Sequence, residues 1–226
     1  MKKIIVFIFF IFSSSISIAH MAHYNNFNKI EMEIFRNGNL IGYNHYFFNK
    51  SGNNTTVTNE IKFKVKLLGK TIFQVEGFGE EKYYKDKLIS YNSKTLQNNK
   101  KKFVNLVFDK KQNKFLIEGS SYKGDASLEN IIGNWWNHKI LEASSQISPI
   151  SGSVKKQVVT FIGKEKIEQY GKVYNTEHFK LNSKDINTPD NKKINFDVWY
   201  DKRNFRILRV SYSRMGNWEY RLKTID

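Results

Sequence analysis

The amino-acid sequence predicts an all-β protein: one curved antiparallel sheet of meander topology, forming a half-barrel or barrel, with one short helix covering its concave face or mouth. Three observations predict it. Apolar residues alternate with polar ones over long stretches, turn-forming dipeptides recur at short intervals, and Phe, Tyr and Trp make up 15% of a chain with only two prolines. Alternation with a period of two puts one set of side chains on each face of a strand, and aromatic and β-branched residues fit that pleated surface.

The elements follow in order. Ile30–Arg36 and Leu40–Phe48 flank Asn37-Gly38, a pair that supplies the positive φ angles of a two-residue hairpin. Val57, Asn59, Ile61, Phe63, Val65 and Leu67 interleave with Thr58, Glu60, Lys62, Lys64 and Lys66, which marks a long half-buried strand over 55–68 that turns at Gly69-Lys70. Thr71–Tyr84 returns, and Gly77 and Gly79 within it predict a bulge or bend that lets the sheet curl. Lys87–Leu96, Phe103–Phe108 and Phe115–Gly119 continue the meander through polar turns at 98–102 and 109–114.

The pattern then breaks. Over Asp125–Leu141, Ser127 is placed to cap, Glu129 falls in the first turn, and Leu128, Ile131, Ile132, Trp135 and Trp136 recur near helical spacing, so a helix is expected at Leu128–Leu141. The Ser-rich stretch 142–153 reads as a crossing loop. Strands resume at Val154–Tyr170, Val173–Leu181, Ile194–Tyr200, Phe205–Ser213 and Trp218–Ile225, with a polar excursion over 183–193. A sheet of roughly a dozen strands must close or be covered, because a bare concave face leaves a large apolar surface in water.

The amino terminus carries an address. Lys2 and Lys3, the apolar run Ile4–Phe12 and the small residues Ser17 and Ala19 have the form of a secretory signal peptide cleaved after Ala19, leaving one domain over 20–226. The apolar run is too short to span a bilayer and no second one of spanning length follows, so a periplasmic or secreted protein with no transmembrane segment after cleavage is expected. The absence of cysteine excludes disulfides, thiolate zinc, thiol nucleophiles and lipid attachment at a lipobox. The net charge is +16 and stays strongly basic once Lys2 and Lys3 are removed. That sign favours anionic partners such as phospholipid head groups, lipopolysaccharide phosphates or acidic glycans, and export argues against nucleic acid. Lysines spread over solvated strand faces give the same balance.

Candidate chemistry is sparse. Glu76, Glu80 and Glu81 surround the glycine pair, and two facing carboxylates can hydrolyse a glycosidic bond. Strand parity puts Glu76 and Glu80 on one face and Glu81 on the other, and acids on a solvated face are the commoner case. The histidines His20, His23, His45, His138 and His178 show no zinc-binding spacing, and no metal or other cofactor is assigned. Cleavage after Ala19 would leave His20 with a free amine and an imidazole, a combination that chelates copper, with His23 nearby; a plain basic terminus explains the same residues. There is no Gly-x-Ser-x-Gly elbow, phosphate loop or dinucleotide fingerprint. Trp135, Trp136, Trp199, Tyr200 and Trp218 are the largest aromatics, able to line a pocket or fill a core. On a helix Trp135 and Trp136 would diverge by about 100° and not face one way.

Asn37-Gly38-Asn39-Leu40-Ile41-Gly42, Phe63-Lys64-Val65-Lys66-Leu67-Leu68-Gly69, Glu76-Gly77-Phe78-Gly79-Glu80-Glu81, Trp136-Asn137, Asp197-Val198-Trp199-Tyr200 and Tyr220-Arg221-Leu222 follow one another through most of the chain. In that order they resemble an uncharacterised exported bacterial family, domain of unknown function family 6134. Such proteins look like distant relatives of the periplasmic lipoprotein carriers, whose curved antiparallel sheet encloses an apolar cavity under a helical lid. The resemblance implies a half-barrel or barrel and supplies no catalytic residue. One helix is expected here where the carriers use several.

These readings lead to a non-catalytic periplasmic protein that binds an apolar or amphipathic, lipid-like molecule in a barrel cavity. Trp135, Trp136, Phe63, Val65 and Val75 are the expected ligand contacts, with basic residues near the mouth for anionic head groups. Two alternatives stay open: a cell-envelope glycan-acting enzyme using Glu76, Glu80 or Glu81, and a structural adaptor in an envelope complex. The interior discriminates, since a void at Ile61, Phe63, Val65 and Val75 favours binding and packed side chains favour the adaptor.

Overall fold

The computed structural model describes residues 27–225 apart from residue 191. The signal segment, His20 and His23 lie outside the described residues. The chain runs through β1 (Lys29–Arg36), β2 (Asn39–Ser51), β3 (Asn54–Leu67), β4 (Lys70–Tyr84), β5 (Lys87–Gln97), β6 (Lys100–Asp109), β7 (Lys114–Gly119) and β8 (Tyr122–Ala126). It continues through β9 (Ile131–Ile132), β10 (Ser145–Ile147), β11 (Val154–Gln169), β12 (Lys172–Ser183), β13 (Asn195–Asp201), β14 (Ile207–Ser213) and β15 (Asn217–Ile225).

All fifteen strands belong to one sheet, in the order β8-β7-β6-β5-β4-β3-β2-β1-β15-β14-β13-β12-β11-β10-β9. Two meanders therefore meet where β1 pairs antiparallel with β15, Ile34 opposite Tyr220. Every ladder is antiparallel except the short parallel pair of β9 and β10. The expected curved sheet of meander topology is what the chain forms, with boundaries close to those read from alternation.

The sheet curls until its walls touch. Phe63 of β3 lies 5.5 Å from Trp218 of β15, centroid to centroid, and buried side chains of both meanders form one core. The outermost strands β8 and β9 do not pair, so the sheet stays open as a ladder. The 148–153 loop fills the gap instead: Ser121 N donates to Ser151 O at 3.1 Å, while Tyr91 Oη and Ser93 Oγ both donate to Pro149 O, at 2.9 and 2.7 Å. Ile132 and Ile147 pack beneath it on Val104, Leu106, Phe115 and Ile117.

Three expectations are corrected. The helix at Leu128–Leu141 is not formed; Ile131–Ile132 is a strand, and helical geometry is confined to a 3₁₀ turn at His138–Leu141. The reason is chemical, since Asn130, Gly133, Asn134 and Asn137 offer the backbone local alternatives. Asn130 Nδ2 donates to Ser127 O and Oγ, and Asn137 Oδ1 accepts from Lys139 N. Second, Gly77 and Gly79 make no bulge: they pair in register with Ile61 and Asn59, and the irregularities fall at Val65/Lys66 and Lys82/Tyr83. Gly79 provides room, because a Cβ there would come 3.0 Å from the Tyr91 hydroxyl. Third, the β3–β4 turn is centred on Leu68-Gly69, one residue earlier than expected, with φ of 47° and 77°.

Candidate functional site

An irregular segment between β8 and β11 crosses the interior in place of a helical lid. Within it Trp136 is fully buried, edge-on to Phe48 at 5.2 Å and to Tyr83 at 6.0 Å. Trp135 turns to the other wall, 4.7 Å from Tyr220 and 5.5 Å from Phe196, and its carbonyl accepts from Tyr200 Oη at 2.8 Å. Helix geometry would have forbidden this arrangement, whereas irregular backbone lets both indoles point inward.

The remaining expected ligand contacts lie toward the other end of the interior. Phe63 packs on Phe73 at 5.7 Å and on Trp218, Val65 and Val75 are buried in the same core, and Ile61 packs against it. Trp135, Trp136, Phe63, Val65 and Val75 thus share one core but form two groups. All five meet the protein's own side chains. Tyr200 is buried as well, Trp218 stacks on Tyr212 at 5.6 Å, and Trp199 faces outward.

The three acids separate as parity requires. Glu76 pairs with Lys62 at 3.2 Å and Glu80 with Lys82 at 3.0 Å on the outer face. Glu81 points inward and is 2% exposed, so the three make no facing pair of the kind glycoside hydrolysis needs. Its Oε1 accepts from Asn134 Nδ2 at 2.6 Å and Trp136 Nε1 at 2.9 Å, and its Oε2 accepts from Tyr83 Oη. Burial pushes the Glu81 carboxyl above the usual range, and these three donors offset part of that rise. Burial also pushes the Tyr46 and Tyr91 hydroxyls up, with the Glu81 charge adding to both. Asn134, which completes this network, carries no sequence signal beyond lying near the two tryptophans.

On the outer face of β2–β6 an open groove of ≈ 900 Å³ runs across the sheet. Phe78, Lys94 and Phe103 stand in one cross-strand row, and Glu76, Leu96 and Lys101 in the next. Phe78 is 48% exposed, and Leu96 and Phe103 are exposed beside it. Lys62, Lys94, Lys101 and Lys102 line the groove with Glu60 and Glu76. Its sequence signal is an apolar residue at an outward position of an alternating strand. A second open groove, of ≈ 690 Å³, is lined by Lys164, Glu165, Lys166, Lys202 and Arg203.

Beside it, His178 is held between Glu165 Oε1 at 3.0 Å and Asp197 Oδ1 at 2.9 Å, stacked on Trp199 at 4.3 Å. Lys180 Nζ binds Asp197 Oδ2 at 2.6 Å, and no hydroxyl nucleophile belongs to this set. No group of side chains among the described residues has the arrangement to hold a metal ion.

The sequence matches domain of unknown function DUF6134 over residues 32–223. The chain belongs to the DUF6134 family. Among solved structures, this DUF6134 chain is similar to the β-barrel-like protein of domain of unknown function DUF1849 from Brucella abortus, at 11% identity with a TM-score of 0.60. The likeness covers 88% of this chain and 95% of that one, and it is a likeness of fold. No curated protein is detectably similar in sequence. No helix among the described residues is long and apolar enough to cross a membrane.

Proposed function

We propose that this DUF6134 protein is a non-catalytic, exported envelope protein that holds an anionic amphipathic molecule, such as a lipid, in the groove across β2–β6. One observation carries the reading: Phe78, Leu96 and Phe103 form an apolar floor on a sheet face that faces water, among lysines at Lys62, Lys94 and Lys101. An apolar floor takes an acyl or ring system, and lysines beside it take a phosphate or carboxylate. The signal-like segment at residues 1–19 supports export.

This places the ligand outside the sheet instead of within it, because the inward residues Phe63, Val65, Val75, Trp135 and Trp136 already pack against one another's walls. A packed interior also favours the adaptor reading, in which the same groove seats a segment of an envelope partner. Native mass spectrometry and organic extraction of protein purified from the periplasm distinguish the two. Co-purified anionic amphiphile is expected, and protein that carries none and takes up none when offered phosphatidylglycerol rules the reading out.

A further inference from the structure

The β3–β4 hairpin reaches past both neighbours. Pairing of β2 with β3 ends at Gly42↔Phe63 and pairing of β5 with β4 ends at Val75↔Gln97, while β3 and β4 stay paired to Leu67↔Lys70. Val65 is buried and Phe73 packs on the core. Beyond them, residues 66–72 form a projecting tip on which Leu67 is 60% exposed, Leu68 96% and Ile72 46%.

Folding does not explain these residues. Leu68 and Gly69 adopt φ of 47° and 77°, positive values that leucine disfavours and asparagine accepts. At the equivalent place in other hairpin turns the chain uses the polar residues Asn37, Lys85 and Asn98. Tyr170, another bulky residue with positive φ, has its hydroxyl bound to Glu33, but Leu68 stands in water. A strained conformation, an apolar side chain and almost complete exposure coincide at Leu68 as they do at Met215, but only beside Leu68 are further apolar residues, Leu67 and Ile72, exposed on the same tip, and that cluster marks function over stability.

The surroundings identify what the tip meets. Lys64, Lys66 and Lys70 are exposed around the leucines, and none takes part in an ion pair among the described residues. Apolar residues at an apex with a collar of lysines match a bilayer surface, where leucine enters the acyl boundary and ammonium groups remain among anionic head groups. The net charge of +16 has the complementary sign.

We propose that the β3–β4 tip docks the protein on anionic lipid bilayers by inserting Leu67 and Leu68. This goes beyond the groove reading and does not depend on it, although Lys62 and Glu76 at the base of the tip also line the groove.

The test is co-sedimentation of the purified protein with vesicles of phosphatidylglycerol and phosphatidylcholine, compared with phosphatidylcholine alone, at low and high salt. Binding to the anionic vesicles is expected, weakened by salt, and the double variant Leu67→Asn/Leu68→Asn lowers the partition coefficient about tenfold or more. Leu68→Asn alone keeps or raises Tm, because asparagine suits the positive φ, so loss of binding is not misfolding. Leu68→Trp shows a blue-shifted emission when anionic vesicles are added. Wild-type protein that ignores anionic vesicles, as a protein-docking tip would, overturns the proposal. So does undiminished binding by the double variant. Phe78→Ser/Phe103→Ser protein, impaired in the groove, keeps its vesicle binding, which separates failure of the two readings.

Discussion

Trp136 Nε1 donates to Glu81 Oε1 at 2.9 Å, so the irregular segment that crosses the interior is tied to the last stretch of β4 through a carboxylate hidden from water. Asn134 Nδ2 and Tyr83 Oη complete the set, and no cation among the described residues belongs to it. The carboxylate sets the direction of the Trp136 indole, while Trp135 is directed toward the other wall by Tyr220 and Phe196.

Glu81→Ala leaves three buried donors without an acceptor and is expected to lower stability by about 3 kcal/mol or more. Glu81→Gln keeps a carbonyl oxygen for Asn134 and Trp136 and an amide facing the Tyr83 hydroxyl, so it costs about 1 kcal/mol or less. Urea unfolding of both variants checks this. Equal losses would mean that side-chain volume, and not the hydrogen bonds, secures the crossing segment.

The same carboxyl sets a pH dependence. Its folded value lies above the ordinary 4.5, so the folded state takes up the proton first, and wild type gains stability relative to Glu81→Gln as pH falls through that raised value. Asp201 behaves oppositely. Arg203 and Arg206 bind its buried carboxylate, outweigh the effect of burial and hold it below the ordinary 3.8, so its contribution is lost as pH falls further through the lowered value. Stability curves for wild type, Glu81→Gln and Asp201→Asn should therefore diverge in different windows, the Glu81 pair at the higher pH.

The strands were legible because alternation in β3 and turn chemistry at Asn37-Gly38 are local consequences of sequence. The crossing segment was not, because Leu128, Ile131, Ile132, Trp135 and Trp136 satisfy a helical period by coincidence while Asn130, Gly133, Asn134 and Asn137 weaken the helix and bind elsewhere. Parity put Glu81 on the face opposite Glu76 and Glu80 but could not supply Asn134 or Trp136 as its partners, which only the curled sheet brings to β4. Phe78 and Phe103 stood at outward positions in plain view. Single apolar residues at outward positions are common on any sheet, and only the pairing of β4, β5 and β6 brings these two into one row.

Gly79 offers a check on how the open sheet is sealed. A Cβ there would press on the Tyr91 hydroxyl at 3.0 Å, and that hydroxyl donates to Pro149 O at 2.9 Å in the loop that bridges the two edges. Gly79→Ala is expected to shift Tyr91, weaken that bond and cost about 1–2 kcal/mol. Hydrogen exchange should speed up at Ser121, whose amide binds Ser151 in the same loop. Unchanged exchange there would mean that the loop is held independently of Tyr91.

The groove makes a prediction of opposite character, in which stability stays and binding goes. Phe78 and Phe103 face solvent on the outer side of β4 and β6, so Phe78→Ser/Phe103→Ser removes little buried surface and should change stability by about 0.5 kcal/mol per site or less. A bound acyl chain, by contrast, loses its apolar floor, and retention of phosphatidylglycerol should fall about tenfold or more. Lys94 stands in the row between the two rings, directly opposite both. Lys94→Glu reverses the charge beside the floor without touching it, so it should weaken binding of the anionic lipid and spare that of a neutral one such as diacylglycerol. If Lys94→Glu weakened both ligands equally, or if the double serine variant retained lipid at wild-type levels, the amphiphile would have to sit elsewhere than across β2–β6.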